Sequence, residues 1–155
     1  MGTQQILLIV LSVIIVGAAI AVGITMFNNQ AYSANRSALA ADAQSFGTQI
    51  IQYYKTPISQ GGNGRVLANM TKESIAGYIG WTGMTTGDTP TYDGTTTTEN
   101  GKFTITTDKV DAIVITGVGN EIKGDKNPQV VTTITLSTGD ITSELSEVAI
   151  PVVTP

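Results

Sequence analysis

Residues Ile6–Phe27 read ILLIVLSVIIVGAAIAVGITMF, and this stretch decides the fold of the chain. Its 22 residues contain no charged side chain, and the first charged side chain in the whole sequence is Arg36. A helix of roughly 20 apolar residues is long enough to cross the hydrocarbon core of a bilayer. The stretch therefore predicts a helix that can span a membrane.

The helix is predicted to continue well beyond the apolar stretch. From Asn28 onward, apolar side chains recur at steps of three, four and seven, which places them on one helix face: Tyr32, Leu39, Ala43, Phe46, Ile50 and Tyr53. Pro57 disfavours helical backbone at Thr56 and ends the element. A helix over residues 1–55 would be about 80 Å long, far more than one bilayer requires. We therefore expect an apolar half (1–27), an amphipathic half (28–56) and a head domain (57–155).

The head domain is predicted to be rich in β-structure. Asn69 or Thr71 can cap a short helix that runs to about Tyr78. Alternating apolar and polar residues then predict four strands: Lys102–Thr107, Val110–Thr116, Val130–Ser137 and Ile141–Val152. Residues 84–100 are rich in Thr, Gly and Asp and are predicted to form a polar surface loop, with a short hairpin inside it as the alternative. The expected fold class is α+β, with the long N-terminal helix packed on a small four-stranded antiparallel sheet.

The composition excludes several classes of function. The chain has neither cysteine nor histidine, which removes disulfides, thiolate metal sites and the common Ser-His and Cys-His catalytic pairs. Twelve carboxylates against eight Lys and Arg side chains give a net charge of −4, which is unfavourable for binding nucleic acid. We expect no enzymatic activity, no cofactor and no metal site.

The first five residues, MGTQQ, contain no Lys or Arg, although a segment that targets a membrane normally begins with positive charge. Together with the apolar stretch that follows, they resemble the N-terminus of a mature type IV pilin from which a short basic leader has been removed. The resemblance covers about 30 residues in sequence and most of the chain in predicted architecture. It implies cleavage by a prepilin peptidase and methylation of the amino group of Met1.

The chain departs from the pilin pattern in three respects. At the position of Gln5, most pilins have a Glu whose carboxylate pairs with the N-terminal amine of a neighbouring subunit. The Pro that interrupts the helix in the family is absent, and Gly17 and Gly23 are the candidate replacements. The C-terminal disulfide of many bacterial pilins cannot form without cysteine. The resemblance is therefore to a divergent pilin or pilin-like filament subunit.

The resemblance implies a structural function. The subunit would be stored in the inner membrane, handed to pilus assembly machinery, and packed through its apolar helix against identical copies in an extracellular filament at the cell surface. Small residues at helical spacing permit close helix approach. The predicted assembly contacts are Gln4, Gln5, Gly17, Ala19, Ala21 and Gly23.

Two kinds of glycosylation signal occur in the sequence. Asn35-Arg36-Ser37 and Asn69-Met70-Thr71 match the N-glycosylation triplet, which makes Asn35 and Asn69 candidate acceptors. Thr95, Thr96, Thr97 and Thr98 form a run typical of O-glycosylated segments. The alternatives are that Asn35 is a polar residue of a groove in the filament and that the Thr run is a simple flexible loop.

Three other functions remain open from the sequence. One is a minor pilin or a pseudopilin of a secretion system, which would keep the fold and change the role. Another is a membrane-anchored surface domain that never polymerises. The third is the coat protein of a filamentous virus, which the lack of a basic segment disfavours.

Overall fold

The computed structural model describes residues 2–83, 92–108 and 110–150. Two α-helices and five strands follow one another along the chain: α1 (Gly2–Lys55), α2 (Lys72–Ile79), β1 (Thr95–Thr97), β2 (Gly101–Thr107), β3 (Ala112–Gly119), β4 (Lys126–Thr135) and β5 (Asp140–Ala149). Two single turns of 3₁₀-helix, Ile58–Gln60 and Leu67–Asn69, connect the two α-helices. The fold is therefore α+β, as predicted, and is compatible with a pilin-like architecture.

Helix α1 confirms the predicted long helix and ends two residues before Pro57. It is unbroken through Gly17 and Gly23. After the helix, the chain folds back over its C-terminal end. The backbone N–H of Asn63 donates to the carbonyl of Tyr53 at 3.0 Å, and that of Arg65 donates to the carbonyl of Tyr54 at 2.9 Å. These bonds satisfy carbonyls that a helix end leaves without partners.

The sheet has five antiparallel strands in the order β1-β2-β3-β4-β5, so the prediction of four strands is wrong. The additional strand, β1, lies inside the segment predicted to be a polar loop and pairs with β2, with Thr96 opposite Phe103. All three residues of β1 are Thr, so no apolar alternation marks the strand. It forms at the sheet edge because β2 offers it a ladder of backbone partners.

Strand β4 begins at Lys126, before the predicted start at Val130, and includes Pro128. Proline lacks an N–H and is rare inside sheets. Here it lies just beyond the last pair between β3 and β4, Val118 with Gln129, so no bond of that ladder is lost. The side-chain amide of Asn127 instead reaches the carbonyl of Gly119 at 2.8 Å. Strand β5 ends at Ala149, before the predicted end at Val152, and residues 151 and 152 lie outside the described residues.

The core lies between the amphipathic half of α1 and one face of the sheet. The predicted stripe is buried except for Phe46, which is partly buried, and its partners from the sheet are Phe103, Ile105, Ile113, Ile115, Val130, Ile134 and Leu136. Trp81 is 3% exposed and makes edge-to-face contacts with Phe46, with the ring centroids 4.8 Å apart. This indole therefore holds the segment after α2 against the core.

Helix α2 begins with a capping box. The hydroxyl of Thr71 accepts from the backbone N–H of Ser74 at 3.2 Å, and the Ser74 hydroxyl accepts from the N–H of Thr71 at 3.1 Å. This reciprocal pair is a strong start signal for a helix. Thr71, and not Asn69, is therefore the N-cap of the predicted short helix.

Candidate assembly surface

The apolar half of α1 extends from the head without a packing partner in the described chain. Every residue from Gly2 to Gln30 is exposed. Fifteen large apolar side chains between Ile6 and Phe27 are each at least 50% exposed. Burying such a side chain is worth about 1.5–3 kcal/mol, so leaving fifteen in water would cost on the order of 20–45 kcal/mol. An exposed apolar surface of this extent is typical of segments that lipid or another protein covers.

The dimensions of the segment match a bilayer. At 1.5 Å per residue, the 22 residues from Ile6 to Phe27 span about 33 Å, against a hydrocarbon thickness of about 30 Å. Polar amides lie at both ends, Gln4-Gln5 before the segment and Asn28-Asn29-Gln30 after it. Within the described residues, α1 is the one helix long and apolar enough to cross a membrane.

The two hydroxyl groups within the apolar segment are satisfied inside the helix. Ser12 Oγ donates to the carbonyl of Ile9 at 2.8 Å, and Thr25 Oγ1 donates to the carbonyl of Ala21 at 3.0 Å. Hydroxyls bonded back to the helix in this way can enter an apolar environment at low cost. The segment is therefore suited to lipid or to a protein core on all sides.

The small residues of the segment fall into two pairs. Gly17 and Ala21 are one turn apart, and so are Ala19 and Gly23. At about 100° per residue, the second pair is rotated by about 200° from the first, which puts the two pairs on opposite sides of the helix. A side chain added at Gly17 or Gly23 would meet nothing within 4 Å. Both sides are therefore open to close approach by a neighbouring helix.

The predicted polar assembly contacts lie at the tip of the helix. Gln4 and Gln5 are helical and exposed, and the first turn has no acidic side chain. The N-terminus of a helix carries a partial positive charge, which here is not offset by a carboxylate of the same chain. The predicted processing and methylation site, Met1, lies outside the described residues.

Asn35 links the amphipathic half of α1 to the turn between β1 and β2. Its side-chain amide donates to the carbonyl of Asn100 at 2.8 Å. Asn100 in turn donates from its own side-chain amide to Asp42 on α1, also at 2.8 Å. A glycan on Asn35 would occupy the same amide nitrogen, so modification would compete with this contact.

The other glycosylation candidates differ in their exposure and in the hydrogen bonds that they make. Asn69 is exposed, although the hydroxyl of Thr71 in the same triplet caps helix α2. Thr95, Thr96 and Thr97 are strand β1, so the run is not simply a flexible loop. Thr95 Oγ1 donates to Asp93 at 2.7 Å and Thr98 Oγ1 donates to the carbonyl of Gly101 at 3.3 Å, whereas Thr97 is exposed. Glycosylation at these positions stays a prediction.

A second polar link joins α1 to the edge strand β5. The Tyr32 hydroxyl donates to Glu147 Oε1 at 3.3 Å, and Lys126 Nζ lies 3.3 Å from Glu147 Oε2. Burial, and next the negative charge of Glu147, raises the pKa of Tyr32. The hydrogen bond from Lys126, followed by its charge, lowers the pKa of Glu147. Arg36 adds a hydrogen bond to the carbonyl of Leu145 at 3.1 Å.

Sequence reasoning missed Gly47 and the polar links of the helix. Gly47 is buried, and a Cβ there would lie 3.3–3.4 Å from Ile134 and Ile141, so the glycine lets the sheet approach the helix closely. Its spacing of four from Ala43, on the predicted apolar face, is a signal that could have found it. No local signal pairs Tyr32 with Glu147, which is 115 residues away.

Comparisons with protein-family models, with curated proteins and with solved structures give no match for this chain. In the described ranges 2–83, 92–108 and 110–150, no group of three or more acidic side chains is placed to hold a metal ion. The surface with the clearest requirement for a partner is therefore the exposed apolar half of α1.

Proposed function

We propose that this chain is the structural subunit of an extracellular type IV pilus-like filament, in which the apolar halves of α1 from many copies pack together. One observation carries the proposal: a 22-residue apolar helix extends from the head in one continuous element and has no partner in the described chain. Lipid would cover this surface in a membrane-stored subunit, and neighbouring helices would cover it in the filament.

The arrangement of small residues supports repeated assembly. Because Gly17 and Ala21 lie opposite Ala19 and Gly23, one helix can receive a different neighbour on each side. Contacts between unlike surfaces generate open helical assemblies when the rotation does not close into a ring. Lipid tails and apolar side chains are similar environments, so close packing at small residues decides whether the helix stays in lipid or joins other helices.

The membrane and assembly partners follow from the same proposal. The precursor would be embedded in the inner membrane, a prepilin peptidase would process it, and pilus assembly machinery would extract it to the cell surface. The role is structural and not catalytic, and it requires no cofactor and no nucleic acid. Gln4 and Gln5 would supply hydrogen bonds where most pilins have a carboxylate, so packing carries more of the assembly energy.

The test compares variants that fill a small-residue position with one that does not. Gly17→Leu and Ala21→Leu are expected to leave the chain in the membrane fraction and to abolish filaments in electron micrographs of sheared surface material. Val22→Leu is the matched control, because Val22 is exposed, apolar and rotated by about 60° or more around the helix from every member of both pairs, and it should form filaments normally. Normal filaments from both variants would show that these positions are not assembly contacts. Membrane-bound monomer from the unmodified chain in its native host would favour the non-polymerising surface domain.

A further inference from the structure

The loop between β3 and β4, residues 120–125, lies at the end of the head nearest the apolar half of α1. Lys123 Nζ is 5.9 Å from the ring centroid of Tyr32, which lies near the N-terminal start of the amphipathic half. At the opposite end of the sheet, a Cβ at Gly139 would lie 3.5 Å from Lys55 Nζ, at the far end of α1. The β3–β4 loop therefore faces whatever surrounds the apolar segment.

Measured along the axis of α1 from the end of the apolar segment, this loop lies at the distance expected for the outer limit of the lipid headgroups. Tyr32 is five residues beyond Phe27, which is about 7.5 Å along the helix axis. The polar layer on each side of a bilayer is about 5–7.5 Å thick. If Ile6–Phe27 fills the hydrocarbon core, Lys123 lies at the boundary between headgroups and water, and a tilt of the helix toward the loop brings it closer.

The chemistry of the loop suits a lipid–water interface. Ile122 is 57% exposed although it is a large apolar side chain, and it is followed directly by Lys123. Ile150 is 37% exposed and is held at the same end, because its backbone N–H donates to the carbonyl of Asp125 at 3.1 Å. An apolar side chain next to a flexible ammonium can enter the headgroup layer while the charge stays at the phosphates.

The charges around the loop decide whether attraction to anionic lipid or burial of apolar surface contributes more to a contact with the membrane. Lys123 and Lys126 are balanced by Glu121 and Asp125 within the same turn, and Glu147 on β5 pairs with Lys126. Arg36 on α1 is directed to the carbonyl of Leu145. A loop without excess positive charge gains little from anionic lipid. The contact therefore depends mainly on the apolar side chain of Ile122.

We propose that Ile122, with Lys123 beside it, is a contact between the head domain and the lipid headgroup layer in the membrane-stored subunit. This inference rests on the proposed membrane-stored state of the chain. The contact would fix the side on which the head leans over the bilayer, and it would be released when the subunit leaves the membrane.

The absence of cysteine from the sequence makes the test direct, because each introduced cysteine is unique. The full chain would carry Asn120→Cys with Ile122 retained, the same cysteine combined with Ile122→Ser, Val110→Cys or Val16→Cys, each labelled with an environment-sensitive fluorophore and reconstituted in phosphatidylcholine vesicles. Asn120 is exposed and lies two residues before Ile122 in the same loop. Val110 is 67% exposed in the loop between β2 and β3, toward the opposite end of the head, and Val16 lies mid-way along the apolar segment. Spin-labelled lipids with the nitroxide at the headgroup or deep in the acyl chain would quench the label according to its depth.

At position 120 we expect headgroup quenching at least threefold stronger than at position 110, falling to the level of position 110 when Ile122 is replaced by Ser. At position 16 we expect quenching by the deep label. Equal quenching at 120 and 110, or quenching at 120 that Ile122→Ser leaves unchanged, with position 16 deep in the bilayer, would overturn the loop contact alone. Absence of deep quenching at position 16 would overturn the membrane-stored state and, with it, the proposed function. Replacing a third of the lipid with phosphatidylglycerol should change quenching at 120 by less than twofold, and a several-fold rise would overturn the dominant role of Ile122.

Discussion

Substituting Gly119 with Ala tests how the helix is held on the sheet. Gly119 is in strand β3, and its backbone is not in the left-handed region, so it is space and not conformation that requires glycine there. A Cβ would overlap the side-chain oxygen of Asn35 and would lie 2.6 Å from Pro128 Cγ and 2.8 Å from Leu39 Cδ1. Accommodating it requires a shift of α1 away from the sheet or a new position for Asn35.

The expected cost follows from these contacts. Overpacking a well-filled core costs about 1–3 kcal/mol. Loss of the hydrogen bond from Asn35 to Asn100 adds about 0.5–1.5 kcal/mol. The lower entropy of Ala in the unfolded chain offsets about 0.4–1 kcal/mol of this. These terms together lower the free energy of unfolding of the head by about 0.5–4 kcal/mol, and we expect a loss of about 2 kcal/mol for Gly119→Ala.

The assay is urea denaturation of the full chain in detergent micelles, followed by the fluorescence of Trp81, which is the single tryptophan and is buried. A urea dependence of about 1–3 kcal/mol per molar turns the predicted loss into a midpoint lowered by about 1 M. Gly77→Ala is the matched control, because Gly77 is an exposed helical residue with nothing within 4 Å of a Cβ. It should raise stability by about 0.5–1 kcal/mol. A midpoint for Gly119→Ala equal to or above that of the unmodified chain would refute the reasoning.

Two further predictions concern the cap of α2 and the link between α1 and β5. Thr71→Ala removes the capping box and should cost about 0.5–2 kcal/mol in the same assay, whereas Thr97→Ala on the exposed edge should change stability little. Folding lowers the pKa of Glu147. The ionised carboxylate of Glu147 therefore stabilises the fold above the ordinary Glu pKa, about 4.3, and this stabilisation is lost as the pH falls through the lowered pKa. Glu147→Gln should therefore lose less stability than the unmodified chain between pH 5 and about pH 3, and an identical decline would contradict the link.

The long helix could be predicted from the sequence because its signals are local. The apolar stretch Ile6–Phe27 is continuous, the stripe from Tyr32 to Tyr53 has helical spacing, and Pro57 marks the end. Alternation likewise predicted most of β2, β3 and β5. In the stripe of α1 and in β2 and β3, burial repeats with the period of the backbone, so the pattern of residues is sufficient there.

The errors occurred where long-range pairing decides the structure. Strand β1 is three Thr residues and becomes a strand only because β2 lies beside it. Pro128 normally argues against a strand, but β4 extends past the β3 ladder, so the missing N–H removes no bond of that ladder. Of the candidate assembly residues, spacing alone identified Gly17, Ala19, Ala21 and Gly23. The contacts of Asn35 required the folded arrangement of α1, β1 and β2.

The central claim is that the apolar half of α1 is an assembly element stored in a membrane. A reconstruction of the native filament by electron cryomicroscopy tests it most directly, at a resolution that traces Ile6–Phe27. We predict that these helices form the filament core, with Gly17 and Ala19 contacting two different neighbours and the heads on the outside. A filament whose subunits contact one another only through the heads, or preparations that contain this chain only as membrane-bound monomer, would contradict the claim.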